Sequence, residues 1–298
     1  MPDRKTRIDG LASGLLVFCC FLWGLNQVAA KAALPEIPAL WQAALRSLGA
    51  AVLVWIWARQ RGIALFARDG TLAGGMVAGS LFAAEFFCIF VGLQYTTASR
   101  MVVFLYISPF VVALGMPLIS RAERLSGLQS LGLVLAFVGV AWAYSEGFAH
   151  PDASSRQWVG DGLGVLAGVL WGATTLAIRG SALNHASAEK TLFYQLAVSA
   201  ALLLPAALLS GRPLSLQLSP LAWSSLAFQI AVVSFASYLL WFWLIRHYPA
   251  TRLASFTMLT PVFGLVLGAW LLAEPITGRL VVALVTVAAG IYLVNQRR

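Results

Sequence analysis

The stretch LWGLNQVAAK at residues 22–31 is nearly repeated as LWGATTLAIR at residues 170–179. In both copies a cation follows the Trp-Gly pair at the same spacing, and Gly14-Leu15 upstream has a counterpart in Gly162-Leu163. The two copies lie about half a chain apart, which indicates a duplicated unit. In a strongly apolar chain, such a duplication is typical of membrane proteins built from internal repeats.

The composition favours a membrane protein. Of the 298 residues, 60% are hydrophobic and 10% are charged, whereas soluble domains carry about 25% charged residues. The apolar stretches are close to the roughly 20 residues that a helix needs to cross a hydrocarbon core. They also contain Gly and Pro, which membrane helices tolerate. We therefore predict an all-α integral membrane protein.

The apolar stretches predict ten transmembrane spans, five in each repeat. These lie at about 11–33, 38–58, 70–93, 98–120, 127–145, 159–181, 187–209, 220–245, 250–272 and 278–295. They define a first repeat at residues 11–145, a polar linker at 146–158 and a second repeat at 159–295. Because each repeat has an odd number of spans, the second enters the membrane from the opposite side and the topology is inverted.

The net charge of +9 fits this topology better than it fits nucleic-acid binding. With the N-terminus inside, most Lys and Arg residues fall in cytoplasmic loops, as the positive-inside rule expects. The opposite side receives Lys31, Arg100, Arg156, Arg212 and Arg279, and Arg46 lies within a span. Both termini are therefore predicted to be cytoplasmic.

A second pair of stretches extends the repeat. The sequence ASRMVVFLYISP at residues 98–109 matches ATRLASFTMLTP at residues 250–261, and Glu123-Arg124-Leu125 and Glu274-Pro275-Ile276 follow the two Pro-containing helices. Together with the Trp-Gly motif, these stretches resemble the EamA repeat of the drug/metabolite transporter superfamily over nearly the whole chain. Within that family the chain is similar to the YddG-type aromatic amino-acid exporters, although Arg or Lys is commoner where Pro275 stands.

This resemblance implies a basket of ten helices around a central cavity. It also implies a place in the bacterial inner membrane and the export of small metabolites. A fused duplicate supplies both halves, so we expect a monomer whose partners are a small-molecule substrate and membrane lipid.

Trp23 and Trp171 are the first candidates for a substrate site. About eight residues separate each of them from the cation at its helix end, which is roughly 12 Å at 1.5 Å per residue. That depth is too great for an interfacial belt and suits the walls of a central site. Packing of the two Trp residues against Gly24 and Gly172 is the alternative.

Asn26 and Thr174 follow one turn later and project from nearly the same helix faces as the two Trp residues. They could hydrogen-bond a substrate or a neighbouring helix. Glu85 is the acidic residue placed well inside a span, and such residues are functional candidates. It could bind a substrate ammonium or carry a coupling proton, or it could form a structural ion pair with Arg46.

Pro109 and Pro261 each remove a backbone hydrogen bond and should kink matching helices. This makes them candidate hinge positions beside a cavity. Aromatic and polar residues beside these kinks and in the seventh and eighth spans complete the candidate set: Tyr106, Met258, Tyr194, Gln195, Tyr238 and Trp241. Lys31 and Arg179 are expected to snorkel from helix ends. Asp161 is expected to act as a helix cap or an interface residue.

These residues favour a secondary or facilitative transporter over an enzyme. The sequence has no zinc-protease helix, phosphate-binding loop or metal spacing, so we predict no catalytic residues, no metal and no cofactor. Aromatic candidates with few intramembrane charges suit small apolar metabolites, most of all amino acids including aromatic ones, exported by alternating access. The alternatives are efflux of lipophilic drug cations and, from another class, a membrane-embedded enzyme or a receptor.

Overall fold

The computed structural model describes residues 9–119, 127–149, 156–215, 217–248, 257 and 259–294, and every regular element among them is helical. Ten helical spans follow in order: span 1 (Gly10–Ala33), span 2 (Ala39–Gln60), span 3 (Leu72–Gly92), span 4 (Ala98–Leu105 and Ser108–Ile119), span 5 (Gly127–Ala149), span 6 (Gln157–Arg179), span 7 (Ala188–Leu209), span 8 (Pro220–Ala227, Phe228–Ser237 and Tyr238–His247), span 9 (Leu259–Leu272) and span 10 (Gly278–Val294).

Seven of these spans are long and apolar enough to cross a membrane, and the other three contain shorter apolar helices. The predicted all-helical fold with ten spans is therefore confirmed. Large apolar side chains also cover the outside of the bundle, where Leu118 is 90% exposed and Trp270 is 77% exposed. An exposed apolar surface of this kind suits contact with the hydrocarbon core of a bilayer. In that layer, helices satisfy their backbone hydrogen bonds within the protein.

Short polar side chains begin several spans. In each case the side-chain oxygen accepts a hydrogen bond from the backbone N–H three residues later, which satisfies one of the free donors at the helix start. The residues that do this are Asp9, Thr97, Ser187 and Ser219. Caps at these positions let the chain re-enter the apolar layer after only a short loop.

The two repeats make equivalent helix contacts through the Gly of each Trp-Gly pair. A Cβ added to Gly24 would lie 2.9 Å from Cβ of Phe263 in span 9, and one added to Gly172 would lie 2.6 Å from Cβ of Val111 in span 4. Val111 and Phe263 each stand two residues after the matching prolines of the repeat. The glycines are thus the sites of close packing, and the duplication is visible in three dimensions.

Loop contacts group the helix ends into two faces. We call the end that carries Asp9 and the last residue of span 10 the terminal face. There Asp69, between spans 2 and 3, pairs with Lys190 at the start of span 7 at 2.8 Å. The hydroxyl of Tyr248, after span 8, donates to the carboxylate of Asp9 at 3.0 Å.

The other end of the bundle is called the opposite face. Glu36, between spans 1 and 2, accepts hydrogen bonds at 2.6 Å from the backbone N–H and the hydroxyl of Ser219 before span 8. Arg279 at the start of span 10 donates to Ser145 near the end of span 5 at 3.4 Å. Each contact joins loops that the alternation of ten spans assigns to the same side.

Span 4 is broken near its proline, as the sequence predicts, but the break precedes Pro109. The helix stops at Leu105 and restarts at Ser108, and Tyr106 and Ile107 form the turn between. Pro109 has no N–H for the carbonyl of Leu105, which instead faces span 6, where a Cβ added to Gly168 would lie 2.8 Å from that oxygen. The missing side chain at Gly168 lets span 6 approach the interrupted backbone.

Span 8 contains a feature that the sequence did not reveal. Its central part, Phe228–Ser237, is a π-helix, which is rare and is found mostly at functional sites. Two hydroxyls help to satisfy its widened backbone, since Ser234 donates to the carbonyl of Gln229 at 2.8 Å and Ser237 donates to that of Val233 at 2.6 Å. The π-helix ends immediately before Tyr238.

Candidate functional site

Several predicted site residues lie deep within their spans. Trp23 is about 15 Å from the end of span 1, Trp171 about 12 Å from the end of span 6, and Glu85 about 10 Å from the end of span 3, at 1.5 Å per residue. Glu85 is buried, and both Trp side chains are half-buried. These depths put the three residues near the middle of the bundle.

Trp23 belongs to an aromatic group between spans 1 and 8. Its indole N–H donates to the hydroxyl of Ser237 at 2.9 Å. Its ring meets that of Trp241 edge to face, with centroids 5.4 Å apart and planes at 79°. The π-helix therefore supplies the partner of a buried indole N–H, which such a group normally needs.

Trp171 has different neighbours. Its ring meets that of Tyr106 edge to face, with centroids 5.9 Å apart and planes at 83°. Tyr106 stands in the break of span 4, so the interrupted helix presents it to span 6. The two Trp residues of the repeat thus belong to two separate aromatic pairs.

Arg46 is wholly buried near the middle of span 2. Its guanidinium carbon lies 3.8 Å from the centroid of the Phe86 ring, and Nη2 donates to the hydroxyl of Tyr238 at 3.1 Å. A cation held against an aromatic face in a desolvated place is stabilised by the ring electrons. The nitrogens Nε and Nη1 have no hydrogen-bond partner within the described part of the chain.

Glu85 stands one residue before Phe86 and is 5% exposed. Its Oε2 has no hydrogen-bond partner, and among the described residues no ion pair joins Glu85 to Arg46. The predicted alternative of a structural ion pair between Glu85 and Arg46 is therefore wrong. The sequence predicts Arg46 only as that partner, yet the side chain of Arg46 is wholly buried at this depth.

Several other buried polar atoms share this lack of partners among the described residues. They are Asn26 Oδ1, Gln27 Oε1 and Gln229 Oε1. Buried polar groups are normally paired, so such a set in one apolar bundle needs a physical explanation. A polar ligand or water that binds between the spans would supply it.

Asn26 and Thr174 differ although the repeat makes them equivalent. The hydroxyl of Thr174 donates to the carbonyl of Leu170 in its own helix at 2.9 Å, so Thr174 already has a partner. Asn26 keeps an unpartnered oxygen. The geometry therefore favours a polar contact by Asn26 over one by Thr174.

Tyr194 lies away from the other candidates. Its hydroxyl is 3.4 Å from that of Thr71, which precedes span 3 at the terminal face, and its ring fills the space beside Gly75. Tyr194 therefore lies nearer the terminal face than the mid-span candidates do, with its ring packed against Gly75 of span 3, and its part in substrate binding stays a prediction. Gln195 is buried beside it in span 7. Pro261 is buried in span 9, and Met258 lies outside the described residues.

Asp161 makes contacts near the opposite face that the sequence did not predict. Arg100 forms an ion pair of 2.7 Å with Asp161, whose side chain is 0% exposed. Thr96 donates to the same carboxylate at 2.6 Å. Asp161 therefore does not cap its helix as one expectation had it; near the opposite face it neutralises a buried cation from span 4.

Glu274 binds the start of span 4 from the other repeat. Its Oε1 accepts from the N–H of Ala98 at 2.7 Å, and its Oε2 accepts from the N–H and the hydroxyl of Ser99 at 2.9 and 2.6 Å. A carboxylate at a helix N-terminus satisfies free N–H groups and favours the helix dipole. The repeated acid noted in the sequence thus has a structural role at this end.

Lys31 also binds at the opposite face. Its Nζ donates to the carbonyls of Leu93 and Thr96, the latter at 2.7 Å, where span 3 ends. Lys31 is half-buried in the last turn of span 1, and its ammonium group binds these carbonyls beyond the end of span 3. Span 1, span 3 and span 4 are thereby joined at one end.

Two inverted five-span repeats with unpartnered polar groups between them define the class of protein, a multi-pass membrane transporter. The chain belongs to the EamA-like transporter family, which matches residues 11–145 and again residues 158–296. The predicted family is therefore confirmed.

The chain is similar along its length to several bacterial proteins. It is 31% identical to "Uncharacterized protein PA1977" of Pseudomonas aeruginosa, with 100% of this chain and 97% of that protein covered. It is 27% identical to "Uncharacterized transporter sll0355" of Synechocystis, with 99% and 93% covered, and 26% identical to "Uncharacterized transporter YvbV" of Bacillus subtilis, with 100% and 93% covered.

A solved crystal structure has the same fold, with a TM-score of 0.65, 18% identity and 95% of each chain covered. None of these names states a substrate. The resemblance to YddG-type exporters accordingly stays a prediction.

Proposed function

We propose that the protein exports small, largely apolar metabolites, most of all amino acids including aromatic ones, by alternating access across the bacterial inner membrane. The carrying observation is the combination of paired aromatic rings with unpartnered polar atoms at mid-span depth. Aromatic walls suit an apolar side chain, and a few polar atoms suit a small polar head group. A phosphate ester would need several cations, whereas Arg46 is the cation of the described central group.

The difference between the two faces supports alternating access. Glu274 and Asp161 join spans of both repeats near the opposite face, where Lys31 also joins spans of the first repeat. Inverted repeats provide a second arrangement in which the buried ion pair between the repeats would lie at the other face instead. We place the terminal face in the cytoplasm, following the distribution of Lys and Arg, and we treat the single chain as the transporting unit.

Counterflow into liposomes tests this function. Purified protein reconstituted with internal L-tryptophan should accumulate external radiolabelled L-tryptophan or L-phenylalanine with saturable kinetics. Trp23→Ala and Trp171→Ala should each reduce the initial rate, whereas Trp270→Ala, which changes an exposed Trp on the lipid-facing surface, should leave it unchanged. Absence of saturable flux for every amino acid tried would contradict the proposal.

Efflux of lipophilic cations is the second candidate, favoured by the unpartnered oxygen of Glu85. The same liposomes distinguish the two candidates. If a lipophilic cation such as ethidium is transported and amino acids do not compete with it, the cation function replaces the proposed one. The buried Arg46 beside Glu85 argues against it, because two nearby positive charges repel.

A further inference from the structure

We propose that Arg46 and Glu85 form a clamp for the charged head group of an α-amino acid. In this clamp the guanidinium of Arg46 binds the substrate carboxylate and the carboxylate of Glu85 binds the substrate ammonium. The inference rests on the proposed function, because it identifies the substrate class of the same transport site. It assigns the two charges of a zwitterion to two named side chains.

The first support is that two opposite charges lie near each other without pairing. Glu85 directly precedes Phe86, whose ring centroid lies 3.8 Å from the guanidinium carbon of Arg46, yet no ion pair joins Glu85 and Arg46 among the described residues. Charges within a bundle are expensive and normally pair, as Arg100 and Asp161 do at 2.7 Å. A ligand that bears both charges and fits between them would neutralise each one.

The second support is the set of free hydrogen-bonding atoms. Nε and Nη1 of Arg46 are donors without acceptors, and Oε2 of Glu85 is an acceptor without a donor. A carboxylate offers only acceptors to the first, and an ammonium offers only donors to the second. A simple cation or anion would satisfy one side of the clamp and leave the other charge unpaired.

The third support is the way in which Arg46 is held. Phe86 lies against the guanidinium plane and Tyr238 binds Nη2, so the cation has a fixed position with its other nitrogens unused. Tyr238 directly follows Ser237, which accepts the hydrogen bond of Trp23. Trp241, whose ring meets that of Trp23, lies one turn further along span 8. A head group on Arg46 and Glu85 would thus have aromatic rings nearby for its side chain.

Arg46 has 0% exposure in this conformation. Substrate therefore reaches the clamp only when spans 2, 3 and 8 separate. Under the proposed alternating access, such separation accompanies the opening of a face. The clamp is then both a recognition site and a pair of charges that favours closure around a zwitterion.

Head-group analogues test the clamp on the unmodified protein. L-Tryptophan, tryptamine, which lacks the carboxylate, and indole-3-propionate, which lacks the ammonium, compete against labelled L-tryptophan in liposomes. We expect each analogue to compete at least about tenfold more weakly than L-tryptophan, because each loses one charge-assisted hydrogen-bonding group. Equal competition by all three would overturn the clamp while leaving amino-acid transport intact.

Substitutions then assign each charge. Glu85→Gln should reduce the difference in competing strength between L-tryptophan and indole-3-propionate. Arg46→Gln should reduce the difference in competing strength between L-tryptophan and tryptamine. Glu189→Gln, which neutralises an acid at the terminal face, should leave both differences unchanged. A purely structural role would weaken all three competitors equally and would contradict the assignment.

Thermal unfolding in detergent identifies any variant that fails to fold, and in that case the analogue series on the unmodified protein decides. A different failure, in which the unmodified protein shows no saturable flux of any amino acid, would remove the proposed function and the clamp together.

Discussion

Lys31 and Arg179 occupy the same position in the two repeats, but their surroundings differ. The ammonium of Lys31 donates to the carbonyls of Leu93 and Thr96 at the opposite face. Arg179 at the terminal face is exposed, and among the residues that the structure describes none accepts a hydrogen bond from it. One sequence motif therefore stands in two packing environments, and sequence equivalence fixes its place in the repeat but not its contacts.

The ion pairs of the two faces also differ in how far their side chains are exposed to solvent. The pair of Arg100 and Asp161 near the opposite face has side-chain exposures of 4% and 0%. At the terminal face, the side chain of Asp69 in its pair with Lys190 is 43% exposed. The opposite face thus contains a desolvated ion pair, whereas the ion pair at the terminal face is partly hydrated. Under the proposed alternating access, the two faces would exchange these roles.

The largest expected effect is at the buried ion pair. Asp161→Asn leaves the guanidinium of Arg100 without a compensating charge, and we expect the free energy of unfolding to fall by about 3–5 kcal/mol. Equilibrium unfolding in mixed micelles measures it. The double variant Arg100→Leu with Asp161→Leu should recover most of the loss, because no unpaired charge remains. A loss below about 1 kcal/mol for Asp161→Asn would show that the pair does not hold this face.

The second prediction tests where the repeats are alike. An added Cβ would stand 2.8 Å from the backbone nitrogen of Gly264 at Gly24 and 2.6 Å from Cβ of Val111 at Gly172. Gly24→Ala and Gly172→Ala should each lower the free energy of unfolding by about 1–3 kcal/mol through overpacking. Gly14→Ala is the control, since nothing lies within 4 Å of its added Cβ. Sensitivity at only one of the two sites would break the equivalence of the repeats.

Much of this fold follows from the sequence because spans and repeats are recorded locally. Apolar length sets the ten spans, the odd number per repeat sets their inversion, and Pro109 marks the broken helix to within a few residues. The break lies one turn before Pro109, because the clash and lost hydrogen bond of a proline act on the preceding turn. Local chemistry of this kind needs no knowledge of neighbours.

The candidate site was less predictable because its contacts cross between helices. Arg46 meets Phe86 and Tyr238 from two other spans, and Glu274 caps a helix of the other repeat. The π-helix that positions Tyr238 lies in a largely apolar segment, and the sequence of that segment has no periodic pattern that indicates a π-helix. A buried Arg within a span was the one available sign, and it indicates only that a partner must exist. The roles of the predicted site residues stay predictions.

A third test compares the two cations directly. Lys31→Met removes a charged donor from two carbonyls and should lower the free energy of unfolding by about 1–3 kcal/mol. Arg179→Met changes an exposed side chain and should stay within about 0.5 kcal/mol. Equilibrium unfolding of both variants under the same conditions gives the difference. Equal losses would mean that the two faces are held alike, and the contrast between them would then be withdrawn.

The smallest expected effect concerns Asp69 at the terminal face. The ammonium of Lys190, followed by the hydroxyl of Thr71, lowers the pKa of Asp69 to about 2. Because this folded-state pKa lies below the unfolded value of about 3.9, the stabilisation is fully present above about pH 4 and is lost as the pH falls towards 2. The melting temperature of the unmodified protein should exceed that of Asp69→Asn slightly at pH 7, and the difference should vanish over this interval.

Salt separates this hydrated pair from the buried one. At about 1 M salt the screening length falls to about 3 Å, so an exposed pair is weakened and a desolvated pair is not. The effect of Asp69→Asn should therefore disappear in high salt at pH 7, whereas the effect of Asp161→Asn should persist. Because both variants replace one carboxylate with an amide, a difference in their salt response isolates burial as its cause. If both effects survive in salt, the ion pair at the terminal face is as desolvated as the one near the opposite face, and the two faces are held by the same means.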